Sequence, residues 1–168
     1  QMVKHGWVKK LPQKVASGIA QKLNFRVPKN LAHEVDQRIE EIHKQFIPSV
    51  QELNCGANET KDPIGDFSHS PIEGLTHRYA DRVLLKPTHR CASYCRFCFR
   101  REKVSKEKDL SLEGFEKAFT YIQTHTEIRE VILTGGDPLT LTDKKIKGSD
   151  FMPRIDVSFS DDKDSKSD

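Results

Sequence analysis

The clearest periodicity in the chain lies between residues 31 and 46, where Leu31, Val35, Ile39, Ile42 and Phe46 recur at three- and four-residue spacings with charged residues between them. That spacing predicts an amphipathic helix over about 31–46, with Asn30 a candidate N-cap and Pro48 just past its end. Upstream, the modestly apolar VASGIAQKLNFRV predicts a short helix. From Gln51 to Arg82 the period is lost and Gly, Pro, Ser and Asp accumulate, which predicts loop. A connection that long inside a compact unit is uncommon and is often functional.

Period returns at RVLLKPT, an apolar run that predicts a buried strand at 82–87. In LSLEGFEKAFTYIQTH, Leu112, Phe115, Phe119 and Ile122 share one helical face, predicting a helix over about 112–124 with Ser111 as N-cap. REVILTGGDPLT then predicts a second short buried strand, 130–134, ending in two glycines. Strand, helix, strand in that order is a βαβ unit, which implies two parallel strands joined by a right-handed crossover. From Gly148 onward no helical period is left, and the Asp/Ser/Lys run at the end predicts disorder. A βαβ unit needs neighbouring strands, so the expectation is a truncated or frame-shifted chain whose genuine fold ends near Lys147. The expected organisation is a helical and loop extension over 1–75, an incomplete α/β unit over 76–147 and a disordered or non-native tail over 148–168.

Composition narrows the class of protein. Of 168 residues, 35% are hydrophobic and 32% charged, and no apolar run approaches the roughly 20 residues of a bilayer span. The 28 basic and 25 acidic residues nearly balance, which argues against a general polyanion-binding surface. The first residues hold lysines but no apolar stretch of signal-peptide length, so a cytoplasmic location is expected. Thiols stay reduced there, and a tight cysteine group is a metal or redox site before it is a disulfide framework.

Such a group exists. Cys91, Cys95 and Cys98 are three of the four cysteines, spaced C-x3-C-x2-C just past the first predicted strand. Three free thiols in a core is one reading, although the segment is too polar for core. Structural zinc is another, with His89 or the remote Cys55 as fourth ligand. The strongest reading is a [4Fe-4S] cluster held by three thiolates, which leaves one iron open for a small molecule with an amine and a carboxylate. Gly135, Gly136 and Asp137 follow the second strand, where glycines let the backbone come close to a ligand. The turn lacks the pattern of a phosphate loop. Arg78, Arg82, Arg90, Arg96, Arg100 and Arg101 fall within 24 residues, and arginine suits bidentate capture of phosphate or carboxylate.

CASYCRFC resembles the cysteine signature of radical S-adenosylmethionine (SAM) enzymes, and TGGDPL resembles their GGE-type turn, with Asp in place of the commoner Glu. SPIEGLTHRYADRVLLKPTHRCASYCRFCFRREKV followed by VILTGGDPLTLTD is similar to the lysine 2,3-aminomutase family, from about Phe25 to Ile146 and including FRVP and DPIGD. That family includes the enzymes that make β-lysine for elongation factor P.

The resemblance implies the amino-terminal part of a (β/α) barrel preceded by a helical extension. It also implies a [4Fe-4S] cluster on Cys91, Cys95 and Cys98, SAM bound by Gly135, Gly136 and Asp137, and pyridoxal 5'-phosphate contacted by Arg78, Tyr79 and Arg82. Arg100 would receive the substrate carboxylate, and the reaction would be amino migration from L-lysine to β-lysine. It implies a small amino-acid substrate, no membrane and no nucleic acid, and it allows a homo-oligomer in the full-length protein. The lysine that carries pyridoxal phosphate in the family belongs to later strands, and Lys144, Lys145 and Lys147 do not match it. The chain alone is therefore expected not to complete the migration. Two alternatives stay open, another radical SAM enzyme acting on RNA or protein and a zinc-knuckle module that binds RNA.

Overall fold

A computed structural model describes residues 12–37, 39–54 and 56–142. Cys55, Lys144, Lys145, Lys147 and the tail 148–168 lie outside the described residues. Three helices come first, α1 (Gln13–Lys22), α2 (Lys29–Asp36) and α3 (Glu40–Phe46), then β1 (Leu75–Tyr79), β2 (Arg82–Thr88), α4 (Leu112–Thr124) and β3 (Glu130–Gly135). The strands form one sheet in the order β1-β2-β3, so this is a mixed α/β fold with a small sheet.

The sheet carries the predicted βαβ unit. β2 and β3 are parallel, with Val83 opposite Val131 and Leu85 opposite Leu133. Alternation along each strand divides the side chains between two faces. Val83 and Leu85, with Leu75 of β1, pack against Leu110, Phe115 and Ala118, and Val131 and Leu133 join that cluster. Leu84, Lys86 and Thr88 therefore face away from α4, as do Thr76 and Thr134. Ser111 caps α4 as predicted, its hydroxyl accepting from the Gly114 N–H; such a cap contributes about 1 kcal/mol.

The structure corrects two expectations. The 51–82 stretch is not all loop, because Leu75–Tyr79 is a strand antiparallel to β2. Tyr79 pairs with Arg82 across a hairpin whose connecting residues are Ala80 and Asp81. Among the described residues, neither of these has the positive φ of a primed hairpin turn, and the register shifts between Thr76 and Tyr79. A hairpin without its usual turn residues left no mark in the sequence. The stretch 31–46 also falls in two helices, α2 ending at Asp36 and α3 beginning at Glu40, and Ile39 is extended and exposed. The break lets Leu31, Val35 and Ile42 share one cluster with Phe25, Val27 and Ile47. Pro28, not Asn30, precedes the first turn of α2.

Leu85 is fully buried at the centre of the sheet cluster. Leu85→Ala should lower unfolding free energy by about 2–5 kcal/mol through lost burial and the cavity left behind, read as a reduced midpoint in urea denaturation.

Candidate functional site

The cysteine segment leaves the carboxyl end of β2 and is held there by backbone bonds to the turn after β3. The Gly136 N–H donates to the Thr88 carbonyl and the Asp137 N–H to the Arg90 carbonyl, both at 2.7 Å. This approach explains the two glycines. Gly135 has φ +99°, and a Cβ there would meet the Thr88 carbonyl oxygen at 2.7 Å. A Cβ on Gly136 would lie 2.2 Å from the Arg90 carbonyl oxygen. The backbone comes close to the chain itself, and the N–H groups of Gly136 and Asp137 are committed to it. Asp137 also caps the following turn, its Oδ1 accepting from the Leu139 N–H at 3.0 Å.

Further anchors fix the start of the segment. Thr88 is buried, its hydroxyl donates to Asp109 Oδ1 at 2.7 Å, and the Arg90 N–H donates back to that hydroxyl at 3.0 Å. Arg90 pairs with Asp109 at 3.0 Å. His89 is buried, with Nε2 3.4 Å from Glu107 and, among the described residues, no partner for Nδ1.

The middle of the segment is seated on the amino-terminal part. Arg96, between Cys95 and Cys98, is buried and makes a two-armed pair with Glu52, Nε to Oε1 at 3.0 Å and Nη2 to Oε2 at 2.6 Å. Its Nη1 also donates to the Asn24 carbonyl at 3.0 Å. The Tyr94 N–H donates to the Arg26 carbonyl and the Arg96 N–H to the Gln45 carbonyl. Leu23, Tyr94 and Val104 form a small apolar cluster against which Cys91 and Cys98 pack.

All three thiols are free and half-buried. Burial pushes the Cys91 thiol up to about 11, with the charges of Cys98 and Asp137 adding to it. Burial raises Cys98 as well. Among the described residues, no three His, Cys, Asp or Glu side chains are grouped as ligands of one ion. Three thiols on one loop, close enough to sense one another, fit an iron–sulfur cluster, whose separate irons take one thiolate apiece. They fit less well to a mononuclear ion, which needs its donors at one point.

Arg100 stands over the same end of the sheet. Its side chain is 14% exposed, Nε donates to the buried Asp66 at 3.1 Å and Nη1 donates to the Thr134 hydroxyl at 3.3 Å. The predicted site residues thus divide into two groups. Cys91, Cys95, Cys98, Gly135, Gly136, Asp137 and Arg100 come together at the carboxyl ends of β2 and β3. Tyr79 and Arg82 lie at the opposite end of β2, where Arg82 pairs with Asp81 at 3.1 Å and Glu130 at 3.5 Å. Arg78, on β1, is exposed near Gly65. The arginine group is likewise not one anion trap, because Arg82, Arg90, Arg96 and Arg101 each face an acid of this chain.

Residues 85–154 match the radical SAM superfamily. The chain carries a radical SAM domain. It is 42% identical over 107 residues to the L-lysine 2,3-aminomutase of Clostridium subterminale, covering 63% of this chain and 26% of that protein. It is 46% identical over 104 residues to the enzyme of the same name from Methanococcus maripaludis, covering 61% and 24%. Against the Acetoanaerobium sticklandii enzyme the identity is 36% over 129 residues, covering 74% and 31%. The chain thus spans about a quarter of the length of these relatives. No helix of the described residues is long and apolar enough to cross a membrane.

Sequence reasoning missed Asp66, Glu52 and Lys86. Asp66, in an aperiodic stretch, carries no periodic signal, but Ser49 with Glu52 three residues later is the pattern of a capping box, and a lysine in the apolar run of β2 also stands out. Removing one partner of a buried ion pair costs about 3–5 kcal/mol, so Arg96→Met should destabilise the chain by that order in urea denaturation. In the metal-free chain, the raised Cys91 pKa adds stability below its ordinary value of 9.0, and this is lost as pH rises through about 11. Iodoacetamide should therefore alkylate Cys91 at neutral pH several-fold more slowly in the folded chain than in urea, as read by mass spectrometry.

Proposed function

We propose that this chain is the amino-terminal part of a radical SAM aminomutase acting on L-lysine or a closely related amino acid, with its three strands opening a (β/α) barrel. The observation that carries the reading is the convergence of three thiols, the Gly-Gly-Asp turn and Arg100 at one end of two parallel strands. Ligands of α/β sheets bind at the carboxyl ends of strands, so the grouping suits one small-molecule site.

In this reading Cys91, Cys95 and Cys98 each give a thiolate to a [4Fe-4S] cluster. When bound, the cluster supplies the electron that splits SAM into methionine and a 5'-deoxyadenosyl radical. The raised Cys91 and Cys98 thiols must lose their protons to take iron, so cluster loading is proton-coupled. Asp137 and the carbonyl side of Gly135 and Gly136 receive the methionyl ammonium of SAM, since the N–H side of the turn is committed to Thr88 and Arg90. Arg100, oriented by Asp66 and Thr134, keeps Nη2 for the substrate carboxylate.

Pyridoxal phosphate belongs to the proposal through the family resemblance. Arg82 would have to exchange Asp81 and Glu130 for the phosphate, and Tyr79 and Arg78 stand on the same hairpin. The matched stretch is a quarter of the relatives' length, and we expect it to generate the radical without completing the migration alone. A reducing, cytoplasmic compartment suits the free thiols.

Anaerobic reconstitution with iron and sulfide decides the reading. The chain should turn brown, bind about four irons as a three-cysteine cluster does, and, with dithionite and SAM, release methionine and 5'-deoxyadenosine. Cys91→Ala should abolish both colour and cleavage. A colourless chain carrying one zinc would overturn the reading in favour of a zinc module.

A further inference from the structure

Lys86 is the residue the reading above leaves without a role. It is 4% exposed on the face of β2 that points away from α4. Its ammonium donates to the Thr76 hydroxyl at 2.6 Å and approaches the Ser70 hydroxyl at 3.4 Å. Among the described residues it makes no ion pair. The acids around it are committed elsewhere. Asp66 holds Arg100, Asp62 accepts the Asp66 and Phe67 N–H groups, and Glu107 faces His89 and Lys103. A buried ammonium that meets only hydroxyls is costly, and an anion brought to it repays that cost.

The neighbourhood says where the anion would sit. Leu85 pairs with Leu133, and Lys86 stands beside Gly135, where a Cβ would lie 3.0 Å from the Lys86 Cβ; Gly135 follows Thr134, the residue that takes Arg100 Nη1. Lys86 and Arg100 line one narrow recess of about 20 Å³ with Asp66, Phe67, Phe99 and Lys103, on the scale of a single small polar group. The charged residues of its lining are Lys61, Lys86, Arg100 and Lys103 against Asp62, Asp66 and Glu102, which leaves a single positive charge to neutralise. A monovalent carboxylate matches that balance, and a phosphate dianion exceeds it. Burial lowers the Lys86 pKa while the Asp66 charge raises it, as expected of an amine that needs an anion to hold its proton.

We propose that Lys86 and Arg100 together seat the substrate carboxylate, Lys86 as a second positioning cation beneath the strand end. This rests on the role given to Arg100 above and adds a residue that no motif of the cysteine loop marks. Arg100 offers Nη2 from a side chain already oriented by Asp66 and Thr134, and an ammonium from the strand below gives the carboxylate a second contact that fixes its depth.

The test uses the full chain, with acetate and L-lysine as carboxylate probes and cadaverine, lysine without its carboxyl group, as control. L-lysine affinity by calorimetry should fall at least tenfold in Lys86→Met, and cadaverine should bind neither protein. Without carboxylate, Lys86→Met should melt no lower than the parent chain, because it removes a buried charge that has no acid; a lysine with a purely structural role would melt lower when replaced. In the unmodified chain, acetate should raise the melting temperature more than inorganic phosphate at equal ionic strength, a readout that does not depend on the variant folding. Equal protection by phosphate, or unchanged L-lysine affinity in Lys86→Met, would overturn the proposal. If L-lysine affinity is unchanged in Lys86→Met but lost in Arg100→Lys, the role of Arg100 stands and that of Lys86 fails. If neither substitution matters, both fail.

Discussion

Everything at this site depends on two stretches of backbone lying against each other with no side chain between them. The turn after β3 can reach the Thr88 and Arg90 carbonyls only because positions 135 and 136 carry no Cβ. That contact couples the exit of one strand to the exit of the next, so the thiol loop and the Asp137 turn are set relative to each other by main chain rather than by flexible side chains. Thr88 then serves both stretches, accepting from Gly136 through its carbonyl and anchoring Arg90 and Asp109 through its hydroxyl. A residue so engaged cannot be exchanged for valine without leaving buried polar groups unpaired.

The amino-terminal helices supply the second support. Arg96 sits between Cys95 and Cys98 yet turns into Glu52 and the carbonyls after α1. With the apolar contact of Leu23 against Tyr94 and Val104, it makes the extension a seat for the loop rather than an appendage. The consequence for function is preorganisation. Three thiols on a free loop would lose conformational entropy on taking metal, whereas thiols on a loop tied at its base and its middle lose less.

How much of this the sequence revealed depended on the physics of each element. The long-period features were legible: α4 with its Ser111 cap, the apolar strands β2 and β3, and the C-x3-C-x2-C spacing, because periodicity and ligand spacing are local properties. The hairpin partner β1 was not, since Ala80-Asp81 is not the Asn-Gly or Asp-Gly pair that marks a two-residue hairpin and its alternation covers only Leu75 and Thr76 before the register shifts. The break between α2 and α3 was hidden too, because Ile39 satisfies the helical period while tertiary packing asks only for Val35 and Ile42. Pairings such as Arg100 with Asp66, 34 residues apart, and Arg96 with Glu52, 44 apart, are set by topology and have no sequence period at all. For the same reason the six arginines could be counted in advance but not matched to the acids that Arg82, Arg90, Arg96, Arg100 and Arg101 face.

The strand order has a consequence of a different kind. β1 closes one side of the sheet with an antiparallel partner, but among the described residues β3 stands at the other edge, and its central residues Val131, Ile132 and Leu133 carry no charge that would repel another chain. Ile132 is partly open to solvent on the face away from α4. Such an edge invites main-chain pairing with whatever strand arrives first, whether from its own polypeptide or from a second molecule. During synthesis the interval in which β3 is complete and uncovered is therefore when this unit is most exposed to edge-to-edge association. How soon the edge is covered becomes a matter of cellular timing as much as of equilibrium stability.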